Sequence, residues 1–356
     1  MKLSLSFCCR AVLLSATLLV PGLSAQQGQA PATAVAWLAE AELASQSQQI
    51  EQFWQQQVVQ GSFKGAGGVP LHFAYVKPAA AKAAIVLIAG RTESVVKYQE
   101  LFYDLSRQGY AVFAYDHRGQ GLSGRMLADP QIGHVEDFQL YVDDLQTFMQ
   151  KMQPEFSAKP LALAHSMGGA ILSYYLAQYP DSFQAAVMAS PMHQANAQLV
   201  FGPSDGCYLA SALGWTCPDC YAGFSAQPYQ AGAFSDNPYT HSELRYQRFR
   251  AAYQQYPKVQ LGGPSWHWLA EACHVAAELP QIAGQIKTPV LILQAGADAI
   301  VTAAAQQQFC QVLGPQCEGG SVKVIAGAAH ELLIEADAYR LPALTAIQQF
   351  FSRYIH

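Results

Sequence analysis

Leu161-Ala162-Leu163-Ala164-His165-Ser166-Met167-Gly168-Gly169-Ala170 is the stretch that decides the fold. It begins as a short apolar run, the pattern of a strand buried on both faces, and passes almost at once into the helix-like segment Ala170 to Gln178. The residues around the junction are small: Ala164, Gly168, Gly169 and Ala170. A sharp strand-to-helix turn requires this, because bulk there collides with neighbouring backbone. Such a turn lifts the Ser166 hydroxyl clear of the sheet. It also sets the Met167 N–H, at the helix N-terminus, where a developing negative charge is stabilised. The spacing is that of a G-x-S-x-G nucleophile elbow, with Ala164 in the place of the first glycine.

Upstream of this turn, Ser62 to Lys64 and Leu71 to Val76 read as a hairpin, and Ala84 to Ala89 as the first strand buried on both faces. Val95 to Arg107 then reads as a helix, Tyr110 to Tyr115 as a strand and Phe138 to Met152 as a helix. Downstream, Ala185 to Met188, Val290 to Leu293 and Val322 to Ile325 supply further strands, and Pro342 to Phe351 a closing helix. Strands alternating with helices imply right-handed crossovers and a mostly parallel central sheet with helices on both faces, an α/β fold. The interval 191–286 breaks the rhythm, being long and rich in Tyr, Trp, Pro and Gly. A structureless loop of that length is foreign to a compact domain, so it reads as an inserted, mostly helical cap. Residues 61–190 and 287–356 are then the two parts of one core, and 26–60 a Gln- and Ala-rich helical segment. Its stretch up to Gln49 shows no clear core face and is expected to pack loosely.

The chain is 51% hydrophobic and 13% charged, which marks a globular protein, and its net charge of -5 offers no basic surface for nucleic acid. Lys2 and Arg10 precede the apolar run Ala11 to Val20, a Pro21-Gly22 break and Leu23-Ser24-Ala25. That is the pattern of a secretory signal over residues 1–25, the alternative being an uncleaved anchor in the inner membrane. Export to the periplasm or beyond suits the remaining cysteines, Cys207, Cys217, Cys220, Cys273, Cys310 and Cys317, an even set for an oxidising compartment. Cys310 and Cys317 flank a Gly314-Pro315 turn and are the easiest to bridge, whereas the pairing of the other four is open.

A serine hydroxyl becomes a nucleophile when a base takes its proton, and the base needs an orienting acid. The strand Val290 to Leu293 runs into Gln294-Ala295-Gly296-Ala297-Asp298, and the next runs into Gly327-Ala328-Ala329-His330. Both loops leave C-terminal strand ends, the edge at which open α/β sheets bind ligands. Ser166, Asp298 and His330 therefore form a candidate triad, in the chain order of an α/β-hydrolase. The loop Ala89-Gly90-Arg91-Thr92-Glu93 offers the Arg91 N–H as a second oxyanion donor beside that of Met167. Other patterns carry less. Gly119-Gln120-Gly121-Leu122-Ser123-Gly124 matches a dinucleotide fingerprint without a helix opening on its last glycine, so it reads as a turn. Asp116-His117-Arg118-Gly119 reads as a loop held by local hydrogen bonds. His330-Glu331 starts like a zinc motif, but Ile334 stands where the second histidine belongs, so neither metal nor cofactor is implied.

Residues from about Ile50 to Ser352 resemble the Gram-negative lysophospholipase L-two group, related to monoacylglycerol lipases within the α/β-hydrolases. The resemblance rests on Gly90-Arg91-Thr92-Glu93-Ser94, Asp116 to Gly121, Tyr141-Val142-Asp143-Asp144-Leu145, Ala164 to Ala170, Gly262-Gly263-Pro264-Ser265-Trp266-His267-Trp268 and His330-Glu331-Leu332-Leu333. It implies Ser166 as nucleophile, Asp298 as acid and His330 as base, hydrolysing the acyl ester of a small amphiphilic lysophospholipid or passing the acyl group to an alcohol. Such a substrate implies peripheral membrane contact. The cap aromatics Trp215, Trp266 and Trp268 are candidates to line an acyl channel or to face a choline-like head group. The alternatives are a monoacylglycerol lipase, a general carboxylesterase, a serine aminopeptidase with Glu271 or Glu243 holding the amine, or a non-catalytic lipid-binding protein.

Overall fold

The computed structural model describes residues 36–196, 205–223 and 227–355. The segment expected to be a signal, 1–25, lies outside them. Among the described residues, eight strands form one sheet in the order β1-β2-β4-β3-β5-β6-β7-β8. β1 (Val59–Lys64) and β2 (Pro70–Val76) pair antiparallel, and β2 runs antiparallel to β4 (Tyr110–Tyr115). From β4 onward, β3 (Ala83–Ile88), β5 (Leu161–His165), β6 (Ala186–Ala189), β7 (Val290–Ala295) and β8 (Lys323–Ile325) are parallel. Alternation within a strand feeds two cores. In β3, Ile85 and Leu87 face one core with α2 (Gln99–Arg107) and α9 (Asp337–Phe351), while Ala84, Val86 and Ile88 face the other with α3 (Gln139–Met152), α4 (Met167–Gln178) and α8 (Ala303–Leu313).

Two expectations are corrected and one is extended. The described part of the Gln/Ala-rich segment does not pack loosely: Leu38 and Leu43 are buried, α1 (Glu40–Gln57) goes on to bury Ile50, Phe53 and Trp54, and edge-to-face pairs join Trp54 to Phe102 and Phe53 to Tyr103. Its apolar stripe becomes visible only beyond Gln49, where Ile50, Phe53 and Trp54 recur at helical spacing. The last helix begins at Asp337, so Pro342 lies inside it and does not open it. The loop Asp116 to Gly119 is held by the expected local hydrogen bonds, such as Gly119 N–H to the Gly124 carbonyl, and by distant partners as well. Asp116 accepts from Ser94 and Val95 as well as Leu122, and Arg118 pairs with Asp144 at 2.7 Å.

Between β6 and β7 lie α5 (Asp205–Thr216), α6 (Glu243–Gln255) and α7 (Trp266–Ile282). Disulfides join Cys207 to Cys273, which ties α5 to α7, Cys217 to Cys220, and Cys310 to Cys317. Of the four cysteines whose pairing the sequence leaves open, Cys207 and Cys273 are partnered by the approach of α5 to α7, and Cys217 and Cys220 pair with each other just beyond α5.

Candidate active site

Ser166 sits between β5 and α4 at φ 51°, a left-handed conformation that costs a non-glycine residue of order 1–3 kcal/mol. Packing enforces it. A Cβ on Gly168 would stand 2.2 Å from the Ile88 carbonyl oxygen, so α4 can start this close to β3 only because that position is glycine. The strained turn holds the hydroxyl at the C-terminal edge of the sheet, where the loops after β7 and β8 bring Asp298 and His330.

The three side chains meet as the sequence order suggests. Ser166 Oγ donates to His330 Nε2 at 2.9 Å, and His330 Nδ1–H donates to Asp298 Oδ2 at 2.8 Å. Asp298 Oδ1 accepts the Ile300 and Val301 N–H groups at 2.8 and 3.1 Å. Burial favours the neutral acid, but the His330 bond and charge and those two N–H groups outweigh it, holding the carboxyl below its ordinary range. A base oriented by a fixed carboxylate and bonded to a serine can generate an alkoxide-like nucleophile.

The loop after β3 closes the other side. A Cβ on Gly90 would lie 3.0 Å from the Ser166 Cβ, so the backbone just before Arg91 passes close to the nucleophile. Met167 opens α4, and its N–H has no acceptor within the helix. Backbone N–H groups at Arg91 and Met167 are the candidate donors to an oxyanion formed on attack by the Ser166 side chain.

Beneath these groups lies a buried charge cluster not anticipated from the sequence. Lys97 donates to both Glu93 and Glu331, and their three side chains are at most 9% exposed. Glu93 also accepts from the Gly90 N–H and from Tyr98 Oη, which anchors the loop beside Ser166. His165 Nδ1 lies 3.2 Å from Glu93, and its Nε2 donates to the His330 carbonyl at 3.2 Å. Burial disfavours a charge on His165, but Glu93 and Glu331 outweigh burial and raise it to about 9, so the ring is cationic at neutral pH. Glu93, His165 and Glu331 have the donor types of a metal site, yet the Lys97 ammonium already occupies the position between the carboxylates. The i, i+4 spacing of Glu93 and Lys97 was the one sequence signal of this cluster.

Ser166 and His330 open into a cavity of about 540 Å³, whose walls include Arg91, Tyr239, Phe249, Arg250, Tyr253 and Trp268. Of the expected cap aromatics, Trp268 is in this wall. Trp266 packs instead with Ala210 and Ala222, and Trp215 is 90% exposed. Glu271 accepts the Phe138 N–H and Glu243 opens α6; neither is a cavity residue.

Residues 79–337 match the family model Hydrolase_4, described as serine aminopeptidase, S33. The chain belongs to this family. It is 38% identical over 315 residues to lysophospholipase L2 of Escherichia coli K12, covering 86% of this chain and 90% of that one. It is 33% identical to a probable lysophospholipase L2 of Haemophilus influenzae, covering 75% and 83%. A monoacylglycerol lipase of Mycolicibacterium smegmatis is 26% identical, covering 78% and 91%. Among solved structures, a soluble variant of monoglyceride lipase from Saccharomyces cerevisiae superposes with a TM-score of 0.66 at 17% identity, covering 83% of this chain and 95% of that one. The monoacylglycerol lipase of Paleococcus ferrophilus gives 0.61 at 19%, covering 83% and 99%. At those identities the likeness is one of fold, and that fold is the α/β-hydrolase fold.

Proposed function

We propose that this Hydrolase_4 member is a serine carboxylic ester hydrolase that releases the fatty acid of a lysophospholipid through an acyl-enzyme. The carrying observation is the Ser166–His330–Asp298 relay, at 2.9 and 2.8 Å, in a chain 38% identical to a lysophospholipase L2. His330 takes the Ser166 proton as the oxygen attacks the ester carbonyl, and the Arg91 and Met167 N–H groups hold the oxyanion. His330 then protonates the leaving glycerol oxygen. A water deprotonated by His330 attacks the acyl-enzyme, freeing the acid and restoring the serine. Residues 191–286 act as the cap that shapes the acyl and head-group pocket over a core made of 61–190 and 287–356.

The cavity's only carboxylates among the described residues are Glu93 and Glu331, both ion-paired with Lys97, so neither is an uncompensated charge for a peptide amine. That favours ester over aminopeptidase chemistry, despite the family's description. Monoacylglycerol hydrolysis is the second reading, favoured by the relatives so named.

Export after removal of residues 1–25 is supported by the three disulfides, which persist in oxidising compartments. No helix among the described residues is long and apolar enough to cross a membrane. Exposed Tyr208 and Trp215 on α5 support contact with a membrane surface, where the amphiphilic substrate resides.

The test is fatty-acid release by the purified mature chain from lysophosphatidylcholine, a monoacylglycerol of equal acyl length and an aminoacyl amide, with Ser166→Ala as control. Preference for the lysophospholipid, lost in Ser166→Ala by about 10⁴-fold or more, is expected. Preference for the amide, or turnover that survives the substitution, overturns the proposal.

A further inference from the structure

The charges lining the cavity do not balance. Glu93 and Glu331 are compensated by Lys97 and by the cationic His165, which leaves two further guanidinium groups in the wall, Arg91 and Arg250. Neither forms an ion pair with a carboxylate among the described residues. Arg91 Nη2 donates to the Gly262 carbonyl at 2.9 Å, and its Nε is buried without a partner. Arg250 donates from Nη1 to Tyr229 Oη and from Nη2 to Tyr246 Oη, both at 2.9 Å, and its Nε is likewise buried and unpartnered. A chain whose net charge is -5 thus concentrates two uncompensated positive charges at the one cavity that contains its serine. Burial without a carboxylate lowers the Arg91 guanidinium to about 10, the direction expected of a cation that lacks its counter-ion.

Holding unpaired charge in a partly desolvated wall costs free energy, and a bound anion returns it through charge-assisted hydrogen bonds to the planar guanidinium. The aromatic faces of the cavity point the same way. Arg91 already lies over the Trp268 ring at 5.0 Å, and Arg250 over Tyr246 and Phe249 at 4.8 and 4.9 Å. At Trp268 and Phe249 the cation-π positions that a quaternary ammonium head would seek are taken by the protein's own cations. What the cavity lacks is negative charge.

We propose that Arg91 and Arg250 form a subsite for the phosphate diester of the head group, selecting lysophospholipids over uncharged monoacylglycerols. The proposal rests on the lysophospholipid reading above and names the group by which that substrate is recognised. Arg91 then serves twice. Its N–H faces the scissile carbonyl, and its side chain meets the phosphate carried on the same glycerol. Because the phosphate is common to lysophospholipids while the alcohol beyond it varies, such a subsite tolerates different head groups.

The experiment compares kcat/KM for lysophosphatidylcholine and for a monoacylglycerol of equal acyl length, in the same detergent, for wild type, Arg91→Gln, Arg91→Lys and Arg250→Gln. Each glutamine variant should lower the lysophospholipid-to-monoacylglycerol ratio at least about tenfold, chiefly through KM, and Arg91→Lys should restore part of it. A ratio within about twofold of wild type in both glutamine variants overturns the subsite while leaving the hydrolase reading intact. Thermal melts check folding, and Arg250→Gln carries the test where Arg91→Gln does not fold. A second readout needs no turnover. An ether-linked lysophospholipid should bind Ser166→Ala in calorimetry at least about tenfold more tightly than it binds Ser166→Ala/Arg250→Gln, and equal affinities count against the subsite. If wild type hydrolyses only the monoacylglycerol, the substrate reading fails by itself. Inorganic phosphate and glycerol 3-phosphate then decide the subsite: competitive inhibition relieved in Arg250→Gln keeps an anion site that serves another ligand, and no inhibition overturns it.

Discussion

Replacing Lys97 by Met removes the ammonium that two buried carboxylates share while keeping much of the side-chain volume. In the wild type, Lys97 neutralises Glu93 and Glu331, and His165 supplies a second positive charge 3.2 Å from Glu93 and 3.8 Å from Glu331. Without Lys97, His165 compensates one carboxylate and the other stays charged in a desolvated site. Breaking a buried pair in this way costs about 3–5 kcal/mol. The stranded carboxylate has one escape, which is to hold a proton that the unfolded chain would release. Its price is about 1.4 kcal/mol for each pH unit above the ordinary 4.5. That sets a ceiling of about 5 kcal/mol at pH 8 and about 2 kcal/mol at pH 6. The expected loss is therefore about 3–4 kcal/mol at pH 8, shrinking to about 2 kcal/mol or less at pH 6, a large part of the 5–15 kcal/mol typical of a folded protein. Urea unfolding followed by tryptophan fluorescence at both pH values measures it, with Lys97→Arg as the charge-retaining comparison. A loss below about 1 kcal/mol at pH 8, or one that grows as the pH falls, would show that the cluster is not the coupled buried network described here.

Three further outcomes are expected. Asp298→Asn should fold normally, because the Ile300 and Val301 N–H groups retain an acceptor, yet lose about 10⁴-fold in kcat as His330 loses its orienting charge; ester-hydrolysis kinetics check it. Removing the Cys207–Cys273 bridge, which closes 66 residues, should cost about 4 kcal/mol, against about 2 kcal/mol for Cys310–Cys317, which closes 7, on the loop-entropy account. Denaturation midpoints of the paired serine variants test the order. His165, raised from 6.5 to about 9, contributes about 3 kcal/mol that is fully present below pH 6.5 and is lost as the pH rises through about 9. Between pH 7 and 10, wild-type stability should fall more steeply than that of His165→Gln, and parallel profiles would refute the assignment.

Glu93 shows how much one residue can join without advertising it. It takes the Gly90 N–H, and so fixes the loop beside Ser166, and it also meets His165, the residue before the nucleophile. Its partners Gly90, Lys97 and Tyr98 are local in the chain, but His165 is not. Glu331 completes the cluster from 234 residues away, a separation across which no pattern of periodicity or propensity carries information. Ile50, Phe53 and Trp54 make the opposite case: their helical spacing was legible, but the Gln- and Ala-rich residues before them concealed that α1 belongs to the core.

The sequence by itself determined the strand–turn–helix around Ser166, the alternation that makes the sheet parallel, and the chain order of serine, acid and base. Each of these is written in local chemistry: small residues where backbones approach, apolar runs where both faces are covered, polar residues where a strand ends. The tertiary structure decided what local chemistry cannot. It set which cysteines of α5 and α7 meet, placed Trp268 and not Trp266 in the cavity wall, and left Arg91 and Arg250 there without carboxylates among the described residues. Those outcomes depend on which distant segments the packed core brings together, and burial then determines how strongly each charge is felt.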